Sequence, residues 1–189
     1  MLGLGNAIIK SGKIRSPIYK YQSSFDSTIG DWTFTSSNDN TDENTVEIGQ
    51  NAPGEPTTND WLKITINSYP GGSFGLRLDT HVAGDWLPYQ YSRLSQDLIT
   101  IEYMLHVVDG GGGSIDPVTG LVNQAGAVLK LVHVDGVALD TTTEVKTSHI
   151  MGGNLWNQNL KLYVSGLGGP SPKVNDIIYI KDVCIILWR

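Results

Sequence analysis

The side chains with most chemistry to offer are few and widely spaced. Four histidines stand at His81, His106, His133 and His149, with a single cysteine at Cys184. No nucleophile elbow, phosphate loop or zinc-ligand spacing connects them. His106 and His133 fall inside alternating apolar stretches, where packing is the expected role. Asp79, His81 and Asp85 lie close together in the manner of a solvated turn rather than a metal site. Cys184 has apolar neighbours and reads as a buried, inert thiol. A carboxylate pair for glycoside cleavage must stand about 5 to 10 Å apart in a cleft, and spacing along a chain cannot supply that. No catalytic residue is assigned, and the chain is expected to bind or assemble rather than catalyse.

Two other groups suit binding. Trp86, Tyr89 and Tyr91 cluster within residues 85–91, and Trp156 lies within the Asn- and Gln-rich residues 154–159. Rings bordered by amides and carboxylates can hold a sugar: the ring stacks on C–H groups while the polar groups bond hydroxyls. The same residues also suit protein interfaces or rim packing. Asp26 and Asp182 stand just before the first expected strand and within the last. Terminal strands of a sandwich commonly neighbour one another, so this pair is a candidate for Ca²⁺, a hard cation that takes oxygen ligands. The alternative is a turn cap at Asp26 and a lysine partner, such as Lys181, for Asp182.

The elements that must position these residues are strands. Leu62, Ile64 and Ile66 alternate, as do Ile99, Ile101, Tyr103, Leu105 and Val107, which is the period of a sheet with one buried face. Stretches 32–35, 74–79, 128–134 and 160–164 follow the same rule. Residues 177–188 are apolar at nearly every position, as in a strand covered on both faces. Asn-, Asp- and Thr-rich segments at 36–44 and 49–59 supply turns. Four consecutive glycines, Gly110 to Gly113, open a loop expected to be flexible across 109–126. About eight to ten short strands without a convincing helix point to an antiparallel β-sandwich of jelly-roll type.

Composition narrows the partners. Charged residues make up 17% of the 189, against about 25% in an average soluble protein. A net charge of −6 without a basic cluster argues against nucleic acid and against polybasic membrane attachment. No run is long enough to cross a bilayer as a helix. Residues 1–10 lack the form of a secretory signal. Residues 1–22 carry Leu2, Leu4, Ile8, Ile9, Ile14, Ile18, Tyr19 and Tyr21, a set that solvated tails avoid. They are expected to form an arm that packs on another subunit or protein, ahead of a sandwich at 23–189.

Two resemblances follow from particular residues. Phe25-Asp26 followed by Trp32, with the closing Ile178, Ile180, Asp182 and Val183, resembles the first and last strands of jelly-roll carbohydrate-binding modules. In that family residues of these strands often hold a structural Ca²⁺, which implies a role for Asp26 and Asp182. Lys181 stands where the family usually has an aspartate. The opening Leu2-Gly3-Leu4-Gly5-Asn6 resembles the N-termini of tailed-bacteriophage structural proteins. That resemblance implies a virion protein of capsid or tail, made in the host cytoplasm, whose partners are other virion proteins, copies of itself and a host surface glycan. The alternative expectation is a glycan-binding jelly-roll module.

Overall fold

A computed structural model describes residues 8–10, 13–30, 32–36, 44–68, 74–78, 98–108, 110, 118–123, 128–133, 139–150, 158–163 and 174–189. Every regular element among them is a strand. No helix of the described residues is long and apolar enough to cross a membrane.

The strands run β1 (Ile8–Lys10), β2 (Lys13–Arg15), β3 (Pro17–Ser23), β4 (Trp32–Ser36), β5 (Thr45–Gln50), β6 (Trp61–Thr65), β7 (Phe74–Leu78), β8 (Leu98–Val108), β9 (Val118–Asn123), β10 (Val128–His133), β11 (Thr142–Ile150), β12 (Gln158–Tyr163) and β13 (Ile177–Trp188). One sheet has the order β10-β9-β12-β7-β4. The other has the order β11-β8-β13-β6-β5, with β3 also on β13. All the pairings are antiparallel. The chain is thus an antiparallel β-sandwich of jelly-roll type.

The core forms on the inner face of the six-stranded sheet. Ile99, Ile101, Tyr103, Leu105 and Val107 of β8 meet Leu62, Ile64 and Ile66, Val145 of β11, and Ile178, Ile180, Val183, Ile185 and Leu187 of β13. Trp32, at the start of β4 in the opposite sheet, enters the same cluster. It meets Tyr21 of β3 edge-on, with 6.4 Å between ring centroids. Each such side chain contributes roughly 1.5–3 kcal/mol when fully buried.

The last strand explains its own composition. Inward residues are Ile178 and Ile180 in its first half but Val183, Ile185 and Leu187 in its second. The parity changes because the ladder with β8 steps from Lys181↔Met104 to Cys184↔Glu102. Two residues of β13 there oppose one of β8, which is a β-bulge. Asp182 occupies it with φ of 53°, the left-handed region that Asp tolerates better than most residues. With Asp182 set aside, the strand alternates strictly. Its apolar look on both faces comes from this parity change and from apolar packing on the outer face as well.

Three expectations change. The arm does not extend to residue 22. Pro17–Ser23 is a strand of the sandwich, and Ile18, Tyr19 and Tyr21 are half-buried against the core of their own chain. The strand exists because β13 offers an open edge beyond β6, and backbone pairing there satisfies both. Before β3, Ser16 and Arg189 exchange two backbone hydrogen bonds of 2.8 and 3.0 Å. β1 and β2 pair with each other rather than with the sandwich, and Ile14 of β2 is 69% exposed. Second, the expected loop at 109–126 contains β9, paired with β10 on one side and β12 on the other. Two ladders offset the weak propensity of Gly120. Third, β5 and β11 occupy polar stretches in which alternation alone gave no signal.

Candidate functional site

A cleft of about 670 Å³ opens on the outer face of the six-stranded sheet, where β3, β13, β8 and β11 run side by side. The register builds it. Cys184 faces Gln22 of β3 on one side and Glu102 of β8 on the other. Glu102 in turn faces Lys146 of β11, and Met104 faces Glu144. Lys20, Gln22, Ser23 and Ser24 form one wall, Glu144 the other, and the bulge at Asp182 closes an end. A bulge re-aims side chains and locally strengthens the twist, so the concavity follows from the same extra residue that shifts the parity of β13.

The charges are unevenly matched. Glu144 pairs with Lys146 at 2.9 Å, and Lys181 approaches Asp182 at 3.9 Å. The Glu144 carboxylate raises the Lys146 ammonium above its ordinary value, chiefly through their hydrogen bond. Between these pairs, Lys20 and Glu102 act with opposite sign on Cys184 from neighbouring strands. Burial pushes the thiol up, Lys20 lowers it and Glu102 raises it further. A thiol held protonated is a poor nucleophile, so Cys184 is floor rather than reagent. It is half-buried in the cleft, more open than its apolar neighbours imply. The Tyr103 hydroxyl is raised well above its ordinary value by burial and stays neutral.

The arrangement offers an ammonium donor, carboxylate acceptors, an amide with both functions, and hydroxyls. A hydroxyl-rich ligand, each of whose O–H groups donates and accepts, satisfies that mixture. Among the described residues no group of three or more His, Cys, Asp or Glu could hold a metal. Asp26, an exposed carboxylate, accepts hydrogen bonds from Ser24 at 3.4 Å and Ser27 at 3.1 Å. Asp182 is 60% exposed beside Lys181, the lysine partner that spacing suggested. Asp26 thus has two serine partners and Asp182 a lysine neighbour.

Of the other residues singled out in the sequence, Trp86, Tyr89, Tyr91 and Trp156 lie outside the described residues, as do Leu2 and Leu4 of the arm. So do Asp79, His81 and Asp85. Ile8 and Ile9 are placed in β1. The cleft residues Lys20, Gln22, Glu102 and Glu144 carried no signal of their own, because each is an ordinary outward residue of a different strand. The available hint was the polar pair Lys181-Asp182 interrupting an apolar strand.

No protein-family model and no curated protein matches the sequence. Solved structures do match by fold. The CBM22-1 xylan-binding domain of Paenibacillus barcinonensis Xyn10C is 13% identical, with 91% of this chain and 94% of that one covered at a TM-score of 0.55. The C-terminal family 22 carbohydrate-binding module of Clostridium thermocellum Xyn10B is 10% identical, with 90% and 94% covered at 0.53. The enzymatically active domain of bacteriophage CBA120 tailspike protein 4 is 13% identical at 0.50, with 85% of this chain but 20% of that one covered.

Proposed function

We propose that this chain is a glycan-binding jelly-roll module that holds its ligand without chemical conversion. The supporting observation is the end-to-end correspondence with a xylan-binding domain, which covers more than nine-tenths of both chains at a TM-score of 0.55. The cleft supplies polar groups of the right kind on the outer sheet face. Trp86, Tyr89, Tyr91 and Trp156 remain the candidate stacking platform. A glycan array with the purified chain tests the reading, and flat binding across the array overturns it. Where a ligand is found, Gln22→Ala with Glu102→Ala, set against Trp86→Ala with Trp156→Ala, tells which surface holds it.

A second reading is a virion structural protein of a tailed phage, bound to other virion proteins or to copies of itself and displaying the module toward host surface glycan. Its supports are the tailspike likeness and a β1–β2 pair that carries Ile14 into solvent. The arm available for anchoring is residues 1–15 rather than 1–22, since β3 belongs to the sandwich. Deletion of residues 2–14 is the test: unchanged oligomeric mass and unchanged particle occupancy overturn the anchoring role.

A further inference from the structure

Outward-facing residues of a sheet are ordinarily wet, yet on the outer face of the six-stranded sheet Trp61, Tyr179 and His106 are not. Trp61 is fully buried, Tyr179 is 7% exposed and His106 is 2% exposed. Their rings meet edge to face, with centroids 6.4 Å apart for Trp61 and Tyr179 and 6.0 Å apart for His106 and Tyr179. What covers them is the connection from β5 to β6, residues 51–60. Ala52 of that connection packs in the same cluster as Trp61 and Tyr179.

The cover is a strap tied at its base and at its tip. At the base the Asn51 side chain accepts from the backbone N–H groups of Thr58 and Asn59 at 2.9 and 2.8 Å, and donates to the Asn59 side chain at 2.7 Å. At the tip Glu55 reaches across to β11, the far strand of the sheet, where its carboxylate accepts a hydrogen bond from the Thr142 hydroxyl. Thr142 Oγ1 is also 3.1 Å from His106 Nδ1. A hydroxyl has one proton to give. With that proton pointed at Glu55, Thr142 must accept from His106, so the imidazole carries its proton on Nδ1. His106 Nε2 is then a bare lone pair, and it is buried without a partner.

We propose that residues 51–60 form an acid-released strap over the Trp61–Tyr179 surface, held shut by the Glu55–Thr142–His106 relay while His106 is neutral. Protonation places a second N–H on Nε2, where the described surroundings offer no acceptor, and buries a charge. The charged and titratable groups that act on or touch the ring are Glu55 on the strap, Asp140 in the turn before β11 and Tyr179 on β13; farther along the same face, Lys181 stands over the Trp61 ring and Lys63 of β6 lies opposite Tyr179. The carboxylates of Glu55 and Asp140 favour the imidazolium, but burial outweighs them and the ring titrates below its ordinary value. An open strap lets the ring titrate normally, so the open form takes up protons that the closed form refuses. Closure is fully present above the ordinary imidazole value of about 6.5 and is lost as pH falls below it. Opening bares two orthogonal rings beside the Lys181 ammonium, which already stands 4.9 Å above the Trp61 ring.

Hydrogen exchange of the backbone amides of residues 52–59, corrected for the intrinsic pH effect with an unstructured peptide of that sequence, reads the strap directly. Protection is expected to fall about threefold or more between about pH 7.5 and about pH 5, and the non-titrating His106→Asn variant is expected to show no such fall. Protection that does not change with pH in the native chain overturns the proposal, as does an equal response in the variant. Should His106→Asn fail to fold, Thr142→Val cuts the relay while keeping the ring. It is then expected to lower protection already at about pH 7.5, and native-like protection there overturns the proposal equally.

Discussion

Gly110 donates its backbone N–H to the carboxylate of Asp176 at 2.8 Å, and that carboxylate is fully buried. The contact ties the first glycine after β8 to the turn that leads into β13. A Cβ at Gly110 would lie 2.4 Å from the Asn175 carbonyl carbon, so the approach needs glycine for space. Asp176 also accepts the Ile66 N–H on its backbone oxygen at 2.9 Å, and Asn175 donates to Ile66 at 2.7 Å. One turn thereby joins the ends of three strands.

Gly110→Ala is accordingly expected to destabilise by about 1–3 kcal/mol, because backbone rather than a mobile side chain must move. Asp176→Ala is expected to cost about 1–3 kcal/mol by leaving a donor without its acceptor. Urea midpoints check both, and a midpoint shift near zero for either would contradict the tie.

Deletion of Asp182 is expected to leave a folded protein within about 2 kcal/mol of the native chain, since every other residue of β13 keeps its face. Deletion of Cys184 is expected to abolish cooperative unfolding, because it turns Ile185 and Leu187 outward. Near-UV circular dichroism with urea titration separates the two. Loss of the fold in both deletions would show that the bulge, not the alternation, sets the strand.

Trp188 donates its indole N–H to the Thr100 hydroxyl at 2.9 Å on the outer sheet face. Thr100→Val is expected to cost about 1–3 kcal/mol by stranding that donor, and Trp188→Phe about 0.5–1.5 kcal/mol for the hydrogen bond itself before any loss of ring contact. A double-mutant cycle isolates the coupling, and strictly additive effects would remove the hydrogen bond from the account.

Global stability should follow the same titration as the strap. The His106 pKa is lowered in the fold, chiefly by burial, so the unfolded chain binds more protons and stability rises with pH across that interval. Urea unfolding is expected to give constant stability between about pH 7 and about pH 8 and a decline below about 6.5. His106→Asn should flatten the upper part of that decline. Identical slopes in the two proteins would assign the loss to carboxylates instead.

Much of the sandwich was legible because alternation is a local property. Leu62 to Ile66 and Ile99 to Val107 show it without interruption, and their inward residues are buried as expected. The strand β11 was not legible, since Val145 is its apolar residue that reaches the core and threonines fill much of the remainder. Nor was β9, where Gly120 sits mid-strand between two partners. Pro17–Ser23 read as an arm because its apolar residues are real, while the strand that covers them lies at the opposite end of the chain.

The sequence by itself determined that this chain folds as strands with one apolar face, because the two-residue period is written in neighbouring side chains. Only the tertiary structure decided which edge receives β3, where β13 changes parity, how four strands make a cleft, and that Glu55 meets Thr142 and His106. Each of those depends on backbone pairing between segments far apart in the chain. A hydrogen-bond ladder carries almost no side-chain signature, so the partners become visible only once they are side by side.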